Sequence, residues 1–253
     1  LVLQLRLKAQ MKTRKPLLYA LVACGLCSIP SLASPVTFGQ GLEQNGSQDF
    51  HLVDTGSGVT LTASSQIYFI FSNVTGTLPP GLTGPLSATL TLNLASSTPD
   101  SVTNGTISEG GFTGTFSILL NTPVNGQTNL LSGTITSAAN ATLTGKSGGT
   151  GASLSASTPP TGAVMFSSAF VTFTNPITEA FSLALSSVVP SFVDNGLGYL
   201  AAFNAAASET FSSDPPPAVV SATPEPVSML LIGFGMILIG AVGVRVRRAK
   251  NQG

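Results

Sequence analysis

The sequence predicts an all-β body, an antiparallel β-sandwich or jelly-roll-like domain, flanked by two short segments of another kind. Three observations carry that expectation. Between Ser34 and Thr223 apolar residues recur at every second position far more often than at every third or fourth, which is the strand period. Turn-forming groups, Pro79-Pro80-Gly81, Asn104-Gly105, Asn125-Gly126, Gly148-Gly149 and Asn195-Gly196, break the chain at short intervals. The third observation is the placement of charge. The 253-residue chain is formally neutral, with 10 Lys and Arg against 10 Asp and Glu, but its cations sit at the two ends. Residues 34–223 hold Lys146 alone against nine acids, a formal net charge of −8. A nucleic-acid partner is excluded, because there is no cluster of Lys and Arg to displace counterions from phosphates. The body is long enough to bury a core as one domain.

The amino-terminal segment reads as an address. Residues 1–10 precede Met11 and are expected to be an upstream mis-start. From Met11 the order is that of a signal peptide over residues 11–33: basic Lys12, Arg14 and Lys15, an apolar run from Leu17 to Ile29, then Pro30 and Ser31-Leu32-Ala33. Small side chains at Ser31 and Ala33 suit the pocket of signal peptidase, which places the cut between Ala33 and Ser34. One bond later, Pro35 would follow the cut and hinder it. A second reading competes: Leu21-Val22-Ala23-Cys24 resembles a lipobox, which implies a Cys acylated as the first mature residue. The apolar run continues past Cys24, which favours the first reading. Cleavage after Ala33 removes Cys24 and Cys27, the chain's 2 cysteines, and leaves a mature body without disulfides.

Within the body, residues 34–214, about ten short strands are expected. Leu86 to Leu94 alternates completely, one face apolar and the other hydroxyl and amide. Phe112, Phe116, Ile118 and Leu120 repeat the pattern across Gly114, and Phe181, Leu183 and Leu185 repeat it again. Further candidates are Val59 to Ala63, Ile67 to Val74, Leu130 to Thr136, Ala141 to Thr144, Val164 to Phe173 and Tyr199 to Asn204. The polar faces are made of Ser and Thr, 56 of them between Ser34 and Thr223. Such hydroxyl-rich, nearly uncharged sheets suit hydrated polysaccharide, although Thr is also a good strand residue in its own right. Pro215-Pro216-Pro217 marks the end of the domain, and residues 215–223 are expected to form a stiff spacer.

The tail is the second address. Pro224-Glu225-Pro226 precedes eighteen uncharged residues, Val227 to Val244, and these are closed by Arg245, Arg247, Arg248 and Lys250. At about 1.5 Å per residue the run is about 27 Å long, close to the roughly 30 Å of a bilayer core. The basic end holds the carboxyl terminus in the cytoplasm, and the basic start of the signal also stays inside, so the body faces outward. These three parts in this order resemble the PEP-CTERM sorting tail over residues 224–253. The resemblance implies recognition near Pro224, Glu225 and Pro226 by exosortase, a membrane protease of Gram-negative bacteria that make exopolysaccharide. It also implies a transient stay in the inner membrane before transfer to the cell envelope or matrix. The motif has a physical rationale too: its prolines resist helix and keep Glu225 in an extended strip beside the membrane helix.

Motifs for chemistry are sparse. Asp54-Thr55-Gly56-Ser57, after Leu52-Val53, resembles an aspartic-protease signature, which implies a second carboxylate sharing a proton with Asp54. The nearest partner is Asp194 in Phe192-Val193-Asp194-Asn195-Gly196, where Asn195 stands in place of Thr or Ser. The simpler reading of Asp54 is a strand ending in a turn. Gly145-Lys146-Ser147 lacks the first glycine of a phosphate loop, Asn140 standing there. His51 has Asp49 and Asp54 nearby but no nucleophile turn, and is expected to be an exposed strand-end residue. In the mature body one His without Cys rules out the usual structural zinc sites, and no cofactor is expected. Calcium on scattered acids such as Asp100 or Asp194 is not picked out by any spacing. Asn45, Asn73, Asn104 and Asn140 begin N-x-S/T triplets, which a chain this rich in Ser and Thr supplies by chance.

The expectation is a non-enzymatic surface or matrix protein that associates with exopolysaccharide, its processing partners being signal peptidase and exosortase. The alternatives are an exported hydrolase and an adhesin for a protein surface. An aromatic-lined pocket with paired carboxylates favours the hydrolase, and a flat Ser/Thr face without a cleft favours the matrix role.

Overall fold

Alternation along the chain becomes two-faced strands. From Leu86 to Ser96 every second side chain is buried, and from Val59 to Phe71 all seven odd-numbered residues are buried. The structure, a computed structural model, describes residues 34–158 and 162–220. Its strands are β1 (Val36–Glu43), β2 (Phe50–Asp54), β3 (Val59–Phe71), β4 (Leu86–Ser96), β5 (Ser101–Thr103), β6 (Thr106–Val124) and β7 (Gln127–Ile135). They continue as β8 (Ala141–Lys146), β9 (Ala152–Ser157), β10 (Val164–Ser167), β11 (Val171–Thr172), β12 (Thr178–Val189), β13 (Phe203–Asp214) and β14 (Ala218–Val219). The body is therefore all-β, and every ladder between named strands is antiparallel.

The pairings close on themselves. β1 pairs with β3, β3 with β4, β4 with β6, β6 with β8, β8 with β9, β9 with β12, β12 with β13, and β13 again with β1. Closure of this kind uses up sheet edges that would otherwise invite aggregation. The long strand β6 makes it feasible: residues 106–112 pair with β8, and residues 113–120 pair with β4. The change of partner falls at Gly111 and Gly114, with φ of +73° and +148°. A Cβ on Gly114 would strike the Asn93 carbonyl, so glycine is required there. The outer edge of the short strand β10 is capped by side chains: Val164 N–H donates to Thr158 Oγ1 at 3.3 Å and Phe166 N–H to Glu179 Oε1 at 3.2 Å.

Inside lies a phenylalanine cluster. Phe116 and Phe181 stack at 5.1 Å, Phe181 and Phe211 at 5.5 Å, and Phe38 meets Phe166 edge-on at 5.6 Å. Each such buried ring contributes about 1.5–3 kcal/mol by leaving water. Gly39 and Gly133 make the space, since side chains there would run into the rings of Phe69 and Phe116.

Register also gives the body two ends. Val36 pairs with Ser213 and Thr178 with Asp214 at one end, where β3 finishes at Phe71. Asp54 pairs with Val59 and Val59 with Ser96 at the other, about 40 Å away along β3.

Several expectations are corrected. The domain does not stop at Asp214: Ala218–Val219 pairs with Val171–Thr172, and Thr75 N–H donates to Pro217 O at 2.9 Å. The expected spacer is therefore docked as far as Val220, with strand at Ala218–Val219, because its backbone groups find partners on the body. The two segments expected at Val59 to Ala63 and Ile67 to Val74 are one strand, since Ser65 keeps the inward parity and is 1% exposed. Val164 to Phe173 splits in two because Ser168 Oγ accepts from the N–H groups of Phe170 and Val171 at 3.0 and 3.3 Å. Tyr199 remains in a loop whose N–H groups at Leu197 and Tyr199 are taken by Asn195 Oδ1, and β13 begins only at Phe203. The signal peptide, the membrane helix and the basic end lie outside the described residues. Among the described residues no helix is long and apolar enough to cross a membrane.

Candidate functional site

The outward halves of β3, β4, β6, β7 and β10 form one continuous face. Register aligns Thr62, Asn93, Thr115, Thr134 and Met165 in a row across the five strands, with Ser64, Thr91, Ser117, Ser132 and Ser167 in the next. All ten are exposed or half-buried, and none is ionisable. A shallow groove of about 420 Å³ crosses these rows. Beside them Gln66, Thr89, Ser87 and Asn121 are tied together. Gln66 Nε2 donates to Thr89 Oγ1 at 2.8 Å and Thr89 Oγ1 to Asn121 Oδ1 at 2.8 Å. Asn121 Nδ2 donates to Gln66 Oε1 at 2.7 Å and to Ser87 Oγ at 2.9 Å. Such a network holds amide and hydroxyl groups in fixed positions, a preorganised polar surface that needs no charge.

The face continues beyond Ser87 into a groove of about 630 Å³ lined by Gln40, Leu42, Tyr68, Ile70, Pro85 and Thr210. Its walls are apolar at Leu42, Tyr68 and Ile70, which are 61%, 45% and 37% exposed.

The end where Asp54 pairs with Val59 carries carboxyl groups. Asp54 Oδ2 accepts from Asn195 Nδ2 at 2.6 Å and its Oδ1 from Gly56 N–H at 2.8 Å. Both bonds hold its carboxyl below the ordinary range, the Asn195 bond most. Asp194 instead accepts the Gly196 N–H on Oδ1, and burial, followed by the charge of Asp194, raises Asp100 to about 6. The carboxylate pair that the protease resemblance implies for Asp54 and Asp194 is thus not assembled. Asp54 ends a strand in a turn, as the simpler reading has it. Glu109, fully buried, accepts Leu200 N–H on Oε2 at 2.8 Å. Burial, and then the charges of Asp100 and Asp54, push it up to about 7. A neighbouring cleft of about 620 Å³ is walled by Thr55, Ser57, Ser97, Thr98, Thr113 and Asn140, and neither Asp100, Glu109 nor Asp194 lines it. Among the described residues no three His, Cys, Asp or Glu side chains are grouped to hold a metal ion.

Other sequence candidates have structural employment. His51 is exposed on β2, its Nδ1 2.7 Å from Asn204 Oδ1, while Asp49 accepts from Ser47 Oγ at 2.7 Å; no Ser-His-Asp set forms. Gly145 lets the Phe192 ring approach, a Cβ there falling 2.8 Å from it. Asn73, Asn104 and Asn140 all adopt φ near +50°, the left-handed turn geometry that Asn tolerates. Ser34 is an exposed residue at the start of the described body, whereas Ala33, Pro224, Glu225, Pro226, Arg245, Arg247, Arg248 and Lys250 lie outside the described residues.

Sequence reasoning passed over the buried glutamates and Tyr68. Strand parity was the available signal: Glu209 shares parity with Phe211, and Tyr68 opposes Phe69. No protein-family model matches the sequence, and neither curated proteins nor solved structures include a significant match.

Proposed function

We propose that this chain is an exported cell-surface or matrix protein, delivered by a signal peptide cut between Ala33 and Ser34 and sorted by exosortase at Pro224-Glu225-Pro226. Its β body then serves a structural role in association with exopolysaccharide. The observation that carries this reading is the five-strand outer face of Ser, Thr, Asn and Gln without an ionisable group. A hydrated neutral polymer loses little on meeting such a surface and gains directional hydrogen bonds, whereas a charged partner finds nothing to pair with. A hydrolase is less well supported, because the carboxyl groups of Asp100, Asp194 and Glu109 do not line the neighbouring cleft of about 620 Å³.

The test is mass spectrometry of the protein from separated cell fractions, with Pro224, Glu225 and Pro226 all changed to Ala as the comparison. The native chain is expected in the outer or matrix fraction, begun at Ser34 and shortened at its carboxyl end, and the triple variant intact in the inner membrane. Identical processing of both chains would overturn the sorting assignment.

A further inference from the structure

We infer that the groove around Tyr68 is a stacking subsite for the pyranose rings of an uncharged polysaccharide; this rests on the matrix reading above and gives it a ligand class and a place. Four features of the molecule point there. Tyr68 is the one aromatic side chain among the exposed large apolar residues of the described body. It stands on β3 directly opposite Leu42 of β1 on one side and Ser87 of β4 on the other, so an apolar platform and a hydroxyl meet at one residue. Ser87, the cross-strand neighbour of Tyr68, also belongs to the network of Asn121, Thr89 and Gln66 and receives a further bond from Gln44 Nε2 at 3.1 Å. A polymer lying in it would pass from a ring-sized apolar floor to a line of fixed amides and hydroxyls.

Charge selects the occupant. The one acid in the groove wall, Glu209, is 1% exposed and keeps its carboxyl inside the body, and the remaining lining side chains are neutral. Residues 34–223 carry −8 overall with a single lysine, so a polymer of uronate, sulfate or phosphate units is repelled and finds no cation to bind. A neutral hexopyranose fits both parts. The C–H bonds on one face of the sugar carry partial positive charge and lie against the negative face of the Tyr68 ring. Its ring hydroxyls reach outward to Gln40, Ser208 and Thr210 at the rims. A lipid or a second copy of this chain would have no use for those rims.

The experiment is co-sedimentation and tyrosine emission of the full chain in detergent with a panel of neutral polymers (a glucan, a mannan and a galactan) and with alginate as the anionic comparison. Emission is readable because the chain has no Trp and only 3 Tyr. Binding to at least one neutral member and not to alginate is expected, with a change in emission. Tyr68→Ala is expected to weaken that binding about tenfold, the worth of one aromatic platform, while Tyr68→Phe keeps it within about twofold. Melting temperatures of both variants should match the native chain, since the ring is outside the core. Unchanged binding by Tyr68→Ala would overturn the subsite and leave the matrix reading standing. Failure of the native chain to bind any neutral polymer would overturn both. A self-association lost in Tyr68→Ala would assign the groove to a second copy and overturn the inference.

Discussion

The inner and outer faces of the same strands treat charge in opposite ways. Outside, where water would accept an ion at little cost, the rows through Thr115 and Ser117 carry none. Inside, where an ion is expensive, four glutamates are buried: Glu43, Glu109, Glu179 and Glu209, between 0% and 9% exposed. Glu209 has no hydrogen-bond partner on either carboxyl oxygen, and Gly41 leaves it room that any side chain would fill. The body's single lysine, Lys146, is exposed at the end of β8. For Glu109, Glu179 and Glu209 burial favours the protonated carboxyl and raises each to about 7. The outer face needs no such device, its neutrality being written in residue type. One neutrality therefore depends on pH and the other does not.

The comparison can be broken most forcefully from the inside. Phe211 packs its ring against Phe116 at 5.3 Å, Phe181 at 5.5 Å and Phe166 at 6.0 Å, and is fully buried. Phe211→Ala should cost about 3–5 kcal/mol in urea unfolding, the loss of burial plus a cavity that the closed ring of strands cannot collapse. A loss below 1 kcal/mol would mean that the cluster is not the core (order of magnitude for a surface change).

Titration of the interior gives the next largest effect. The folded state holds the protons of Glu109, Glu179 and Glu209 more tightly than the unfolded chain does. Stability is therefore greatest below about pH 4.5, falls as pH rises, and levels off above about 7, where the folded carboxyls have lost their protons. Melting temperatures measured from pH 4.5 to 8 should trace that decline. Glu209→Gln, neutral throughout, should flatten it by removing one of its contributions; an unaltered slope would exclude Glu209 as a source.

The smallest effect on folding belongs to the outer face. Thr115→Lys should change unfolding free energy by no more than about 0.5 kcal/mol, because the side chain is exposed and bonded to nothing inside. Its effect should appear in co-sedimentation with the neutral polymer that the native chain binds, reduced severalfold by a desolvated charge in the row. Equal binding would show that neutrality of the face is incidental.

Much of the fold was legible because strand parity is local. Leu86 to Leu94 announces β4 without help, and the pairs Asn104-Gly105 and Asn125-Gly126 turn β5 into β6 and β6 into β7 with positive φ at all four residues. β1 was not legible, because Gly39 and Gly41 hold inward positions and erase the apolar signal. Their absence of a side chain is explained only by Phe69 and Glu209, which come from neighbouring strands far away in sequence. β13 hid for a related reason: Ala205, Ala206 and Ala207 are all buried, and the inward Glu209 reads as polar. Tyr68 shares parity with Gln66, not Phe69, which puts it on the outer face.

By itself the sequence determined that the body is β, where most turns fall, that its strands are greasy on one side and hydroxylated on the other, and that cations are kept to the ends. Those properties follow from period, turn chemistry and composition, which act over a few residues. Tertiary structure alone decided that the strands close into a ring, that residues 215–220 dock instead of standing off, that four glutamates share the interior, and that rows from five strands make one neutral face. Each of these depends on which strands pair and in what register, and register is set by side chains meeting across distances in sequence that no local pattern records.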